Sequence, residues 1–248
     1  MASLTPLLET VALTRTFGGL CAVGAVDFRL HRGEIRAIIG PNGAGKTTLV
    51  SMICGRIRPT SGRIVFRGRD ITQLPAHARV ALGIVYTFQV ISVFKRLSIY
   101  DNVALPAQRR LMRGLRGRLA LRGRAVTERV DAVLGEVGLR GAAGRPAASL
   151  PYGHQRLLEL AMALALEPEM LVLDEPTQGL ASDEIAGLSA LLRRIAQEAT
   201  VLLIEHNMQV VLDLSQRVTV MDGGRIIAEG TPREIEANPE VQRVYLGR

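Results

Sequence analysis

Gly40-Pro41-Asn42-Gly43-Ala44-Gly45-Lys46-Thr47 fits the pattern G-x-x-x-x-G-K-[ST]. Before it runs Glu34–Ile39, an apolar stretch that ends in glycine as a buried parallel strand does. After it, Lys46–Ile53 has the spacing of a helix. Strand, glycine turn and helix in this order make a cradle for phosphate. The glycines let successive backbone N–H groups curl around phosphate oxygens, and the helix N-terminus adds positive potential. Lys46 is placed to reach the β- and γ-phosphates, and the Thr47 hydroxyl can hold Mg²⁺, with Thr48 closing the loop. The alternative is a glycine-rich turn with an accidental lysine. It is disfavoured by composition: all but two of the 31 basic side chains are arginine, and the other lysine is Lys95.

A second motif completes a site. Met170-Leu171-Val172-Leu173-Asp174-Glu175 is an apolar strand that delivers two adjacent carboxylates, which is unfavourable unless they meet a cation or do chemistry. Asp174 is positioned to hold Mg²⁺ through water, and Glu175 to orient or deprotonate an attacking water. Together the motifs define a P-loop ATPase or GTPase. A small GTPase needs an Asn-Lys-x-Asp segment to read the base, and neither lysine has those neighbours. Phe17-Gly18, upstream, offers an aromatic ring that could stack on a purine or simply belong to the core.

Working outward, Thr10–Thr14 and Ala25–Leu30 alternate as half-buried strands, with Val26, Phe28 and Leu30 on one face. Arg63–Arg67 and Ile84–Gln89 read as further strands. The second half alternates regularly: helix Gln155–Ala165, strand Met170–Leu173, helix Asp183–Ala196, strand Thr200–Ile204, helix Asn207–Leu214. Strands Arg217–Met221 and Arg225–Glu229 and a helical tail follow. The expected fold is therefore α/β: a P-loop NTPase core with a mainly parallel sheet, an added antiparallel β layer and an inserted helical subdomain. The whole of 1–248 reads as one domain, with 1–89 and 151–248 as nucleotide-binding core and 90–150 as the insertion. At 248 residues such a chain buries enough surface to need no disulfide or metal staple. Cys21 and Cys54 read as buried small apolar residues of a reduced compartment. No secretory signal opens the chain, and the longest apolar stretch, Leu157–Leu166, is interrupted by Glu159 and too short to span a bilayer.

The net charge of +8 invites a nucleic-acid or anionic-membrane reading. Seven arginines (Arg109, Arg110, Arg113, Arg116, Arg118, Arg122 and Arg124) crowd into one helical-looking stretch with no aromatic among them to stack on bases. A solvated basic helix face, acidic lipid and a partner protein all suit that pattern better than nucleic acid.

Beyond these two motifs, the chain resembles the ATP-binding subunits of ABC transporters over essentially its whole length. The pieces occur in that family's order: Phe17, the loop Gly40–Thr48, the lone glutamine of Thr87-Phe88-Gln89, and the signature-like Leu150-Pro151-Tyr152-Gly153-His154-Gln155. Asp174-Glu175, the turn Gly179-Leu180-Ala181, and the histidine of Ile204-Glu205-His206-Asn207-Met208 complete them. The resemblance implies ATP and Mg²⁺ as cofactors. It implies that Gln89 binds Mg²⁺ or water and couples to membrane domains, and that His206 contacts the γ-phosphate. Leu150, Tyr152, Gly153 and His154 would cap the nucleotide of a second ATP-binding subunit, identical or a paralogue. Finer features resemble the ATPases of branched-chain (hydrophobic) amino-acid importers: L-x-Y-G at 150–153, E-H-N-M at 205–208, and the terminus Val241–Gly247. Integral-membrane permease subunits and, indirectly, a solute-binding protein are then the expected partners. The expected location is peripheral, on the cytoplasmic face of the inner membrane.

Two positions depart from the family pattern. Pro151 stands where Ser or Ala is usual, which removes a hydroxyl and a backbone N–H from the cap. Ala181 stands where an Asp or Asn usually bridges the dimer. The competing reading is a soluble ABC-type ATPase acting on nucleic acid or ribosomes. That class generally carries two cassettes or a long coiled-coil arm, and this sequence has one cassette and no sustained heptads. A P-loop kinase leaves residues 150–155 and His206 unexplained.

Overall fold

A computed structural model describes residues 5–87, 89–111 and 122–246. Two sheets share the work. Strands β1 (Leu8–Phe17), β2 (Leu20–Leu30), β4 (Ser61–Phe66) and β5 (Arg69–Asp70) form an antiparallel sheet in the order β2-β1-β4-β5. The second sheet has the order β10-β9-β3-β8-β7-β6. Its strands are β3 (Ile35–Ile39), β6 (Ile84–Thr87), β7 (Met170–Asp174), β8 (Thr200–Ile204), β9 (Arg217–Asp222) and β10 (Arg225–Gly230). Every pair is parallel except β9 with β10. The α/β P-loop architecture with an added antiparallel layer is thus the one the sequence pattern required.

Period-two alternation places the core on both faces of this sheet. Met170 and Val172 of β7, with Leu202 and Ile204 of β8, pack toward Leu49, Met52 and Ile53 of helix α1 (Lys46–Ile53) and toward Phe28 and Phe66 of the antiparallel sheet. Leu171, Leu173, Val201 and Leu203 point the other way, into a cluster shared with helices α3 (Ile99–Leu111), α4 (Arg122–Glu136), α5 (Tyr152–Leu164) and α6 (Ser182–Ile195). Strands β3, β7 and β8 are buried along their whole length, which is why they read as continuous apolar runs.

Several boundaries differ from the sequence expectation. Helix α5 begins at Tyr152, not Gln155, because Pro151 has the extended backbone of an N-cap and its carbonyl already accepts from Gln155 N–H at 3.0 Å. The strand expected at Ile84–Gln89 ends at Thr87. Cys54 is buried, with its thiol pushed up to about 12 chiefly by desolvation, but Cys21 is exposed on the edge strand β2. The helical reading of residues 98–139 resolves into α3 and α4. Arg113, Arg116, Arg118, Phe88 and Gly247 lie outside the described residues. Helix α2 (Ala76–Leu82) and the two-residue β5 gave no periodic signal.

Helix α2 matters for the phosphate loop. Its Arg79, 1% exposed, donates to the carbonyls of Met52 and Ile53 at 2.7 and 2.8 Å, and to Thr72 and Leu74 at 2.9 Å each. The guanidinium therefore satisfies the C-terminal carbonyls of α1, the helix that presents the loop. We expect Arg79→Met to lower the unfolding free energy by roughly 2–4 kcal/mol, because three buried acceptors and one part-buried acceptor lose a charged donor. Urea unfolding with an unchanged m-value measures it; a shift below 1 kcal/mol would refute the anchor.

Candidate active site

The phosphate loop joins β3 to α1. Gly45 holds φ at 97°, and a Cβ there would lie 2.4 Å from Ala22 O, so only glycine fits. That contact also ties the loop to β2, and hence to the β1–β2 hairpin whose turn follows Phe17. Gly40 is equally confined, since a Cβ would sit 2.2 Å from Met221 O. Pro41 is half-buried, Asn42 and Gly43 are exposed, and Ala44 is buried. Lys46 Nζ donates to Gly40 O at 2.7 Å and Pro41 O at 2.9 Å, which folds the ammonium over the loop. Burial pulls its pKa below the usual lysine value, partly opposed by Glu175 and Asp174. Thr47 is exposed and Thr48 half-buried at the start of α1.

Strand β7 brings the carboxylates to this loop. Asp174 is 4% exposed and accepts from Tyr86 Oη at 2.6 Å. Desolvation raises its pKa, while the Tyr86 hydrogen bond pulls the other way. Glu175 has φ of 48°, a left-handed conformation worth about 1 kcal/mol or more of strain for a non-glycine residue. Its own N–H donates to Ile204 O at 2.8 Å, so the strained turn is locked onto β8. Gln89 Nε2 donates to Glu175 Oε2 at 2.8 Å, and His206 Nδ1 lies 3.7 Å from Glu175 Oε1. The three expected catalytic side chains thus meet at one carboxylate.

Phe17 ends β1 with its ring 44% exposed and the Arg15 guanidinium 4.4 Å from its centroid. The ring is available for stacking and not committed to the core. The signature-like residues form a separate cluster. Tyr152, Gly153 and His154 are the first turn of α5, whose N–H groups have no partner within the helix and point outward with the positive end of its dipole. Leu150 is buried beneath them, whereas Tyr152 is 47% exposed. Gly153 packs directly against the Glu184 carboxylate: a Cβ would fall 2.0 Å from Glu184 Oε1, so a larger residue here would have to displace that side chain. Glu184 in turn accepts from Ala181 N–H at 2.9 Å, at the start of α6. The site of the missing dimer-bridging carboxylate is therefore the N-cap of that helix.

Two groups around the site were not singled out from sequence. Tyr86, with Arg56 stacked 4.7 Å over its ring, supports Asp174. Glu205, fully buried, accepts from the N–H groups of Thr177, His206 and Asn207 at 3.1, 2.9 and 3.1 Å, and from the Thr177 hydroxyl. It welds the turn after Glu175 to the segment carrying His206. An acidic residue closing the apolar strand Thr200–Ile204 is the same signal that marks Asp174 on β7.

The sequence pattern of the ABC transporter family matches residues 23–178, well over half of the chain. The chain belongs to this family. A pattern described as branched-chain amino acid ATP-binding cassette transporter matches residues 225–248 of this ABC cassette. It is 40% identical to the high-affinity branched-chain amino acid transport ATP-binding protein LivG of Salmonella typhimurium, across 98% of both chains. Its identity to BraF of Pseudomonas aeruginosa, a protein of the same description, is also 40% across 98% of both. The ADP conformation of an ATP-binding cassette of an ABC transporter superposes with a TM-score of 0.88 at 28% identity, covering 98% of this chain and 100% of the other. Nucleotide binding and ATP hydrolysis are the activities of this ABC ATPase, which serves as a subunit of a transporter complex with membrane partners. Among the described residues no helix is long and apolar enough to cross a membrane.

Proposed function

We propose that this chain energises an importer of branched-chain amino acids or related small polar solutes, working as a dimer on permease subunits at the cytoplasmic face of the inner membrane. A solute-binding protein delivers the solute to those subunits. The observation that carries the solute class is the match at 225–248, outside the cassette region common to the wider family.

The residues present suit Mg²⁺: the exposed Thr47 hydroxyl, the Asp174 carboxylate and the Gln89 amide are oxygen donors around one loop, few enough to leave the ion its waters. Bound there, the ion neutralises charge on the transferring phosphoryl group. Lys46 balances the same charge from inside the loop. Glu175 takes the proton of the attacking water while Gln89 holds that carboxylate in place, and His206, 3.7 Å from it, contacts the γ-phosphate. Phe17 stacks on the adenine. Tyr152, Gly153 and His154 present their N–H groups to the nucleotide of the second subunit, without the hydroxyl that Pro151 lacks.

A groove lined by Val85, Phe94, Pro106, Glu159, Met162 and Leu166 lies between the sheet and the helices, and Phe94 on its wall is 54% exposed. Exposed apolar side chains next to a groove suit an apolar partner helix. Among the described residues of the basic stretch, Arg110 is paired with Glu167 at 3.1 Å and Arg124 with Glu128 at 2.8 Å. The chain should co-purify with two hydrophobic permease subunits, and Phe94→Asp should abolish that association while the melting temperature holds. Recovery with nucleic acid or ribosomes in their place would favour the soluble-ATPase reading.

A further inference from the structure

Helix α5 carries a buried ion pair one turn beyond its cap residues. Arg156 and Glu159 are 3% and 5% exposed, and Arg156 Nη1 donates to Glu159 Oε2 at 2.7 Å. Each partner also grips a distant backbone. Arg156 Nη2 donates to Gln89 O at 2.8 Å, and Glu159 Oε1 accepts from Ser92 N–H at 3.3 Å, both contacts spanning 67 residues of sequence. The loop leaving β6 is therefore held at Gln89 and at Ser92 by adjacent turns of one helix. The Gln89 side chain, in turn, donates to Glu175.

A buried ion pair is poor evidence of stabilisation, because desolvation offsets most of the attraction and apolar residues of similar volume often do as well. What an apolar pair could not do is fix two backbone groups of a loop. Glu159 also lines the groove beside Phe94. The pair thus stands between that groove and the carboxylate, on the helix whose first turn bears Tyr152, Gly153 and His154.

We propose that Arg156 and Glu159 are positioning residues, a clamp that makes the placement of Gln89 against Glu175 follow the position of helix α5. The proposal rests on the roles given above to Gln89 and Glu175. In a dimer it has a consequence. Movement of one subunit's cap against its partner's nucleotide, or of a permease helix in the groove, reaches that subunit's own Glu175 through the clamp.

The test is a double-mutant cycle on ATP hydrolysis by the full chain. Arg156→Lys keeps the charge but not the planar fork that reaches Glu159 and Gln89 O together. It should lower kcat about tenfold, within the coupling expected for residues in one network. KM for ATP should stay within about twofold, because Lys46 and Thr47 are untouched. In a Gln89→Ala background the same substitution should change kcat by less than about twofold, since the group it positions is gone. Equal fractional losses in both backgrounds, or a raised KM with normal kcat, would overturn the clamp. If Arg156→Lys fails to fold, Glu159→Gln enters the same cycle, keeping the shape and the Ser92 acceptor while removing the charge. A Gln89→Ala chain that hydrolyses ATP normally overturns both the clamp and the role of Gln89. Slow hydrolysis in Gln89→Ala with additive Arg156→Lys overturns the clamp alone.

Discussion

Lys46→Ala should reduce ATP hydrolysis roughly 10³-fold and weaken nucleotide binding, with no loss of thermal stability in the nucleotide-free chain. The size follows from Coulomb's law: a unit charge about 4 Å from phosphate oxygens at an effective dielectric near 20 is worth about 4 kcal/mol. Three factors of ten correspond to that energy. The absence of a stability loss follows from the sign of the pKa shift. Burial lowers the Lys46 pKa in the folded chain, so below that value the charged ammonium is held less favourably folded than unfolded. Its contribution is thus unfavourable at neutral pH and fades as the pH rises toward the unfolded value. Removing it relieves that term, which offsets the loss of its bonds to the buried Gly40 carbonyl and the part-buried Pro41 carbonyl. A chain that keeps its melting temperature yet loses hydrolysis fits this account. One that retains ATPase activity would show that the cradle at Gly40–Thr48 is not the phosphate site.

The same arithmetic explains why this part of the site was legible in sequence. A phosphate cradle is local: glycines, lysine and hydroxyl lie within nine residues, and their geometry is fixed by the strand before and the helix after. The buried strands Met170–Asp174 and Thr200–Ile204 were legible for a related reason, since a parallel strand covered on both faces is apolar throughout. What stayed hidden depends on distant partners. Tyr86 looks like any half-buried strand residue until Asp174 is 2.6 Å from its hydroxyl. Arg79 looks like a surface arginine until four carbonyls converge on it. Helix α5 starts three residues before the expected Gln155, and the fixed φ of Pro151, −55°, suits the residue that caps it. That shift has a functional meaning. Tyr152, Gly153 and His154 are the N-terminus of the helix itself, so the cap retains its dipole and its N–H donors even though Pro151 contributes neither hydroxyl nor N–H.

Glu175→Gln should leave nucleotide binding intact and slow hydrolysis by roughly 10²–10⁴-fold, the usual worth of a positioned general base. The substitution preserves shape: the amide oxygen can still accept from Gln89 Nε2, now 2.8 Å from Glu175 Oε2, and the left-handed turn at 175 is unchanged. What it removes is the site that accepts a proton from water, together with the negative charge facing His206 at 3.7 Å. Because Lys46, Thr47 and Asp174 are untouched, affinity for ATP with Mg²⁺ should stay within about threefold of the parent, which separates loss of a base from loss of a binding group. A second effect follows from the arrangement of α5. If the N–H groups of Tyr152, Gly153 and His154 close on the nucleotide of another subunit, a chain that binds ATP but cannot hydrolyse it should accumulate as a dimer. Light scattering of Glu175→Gln at saturating ATP and Mg²⁺ should then report twice the monomer mass, falling to monomer when Lys46→Ala is added. Monomer alone under those conditions, with nucleotide demonstrably bound, would leave the first turn of α5 without a nucleotide to face and would defeat the two-subunit site.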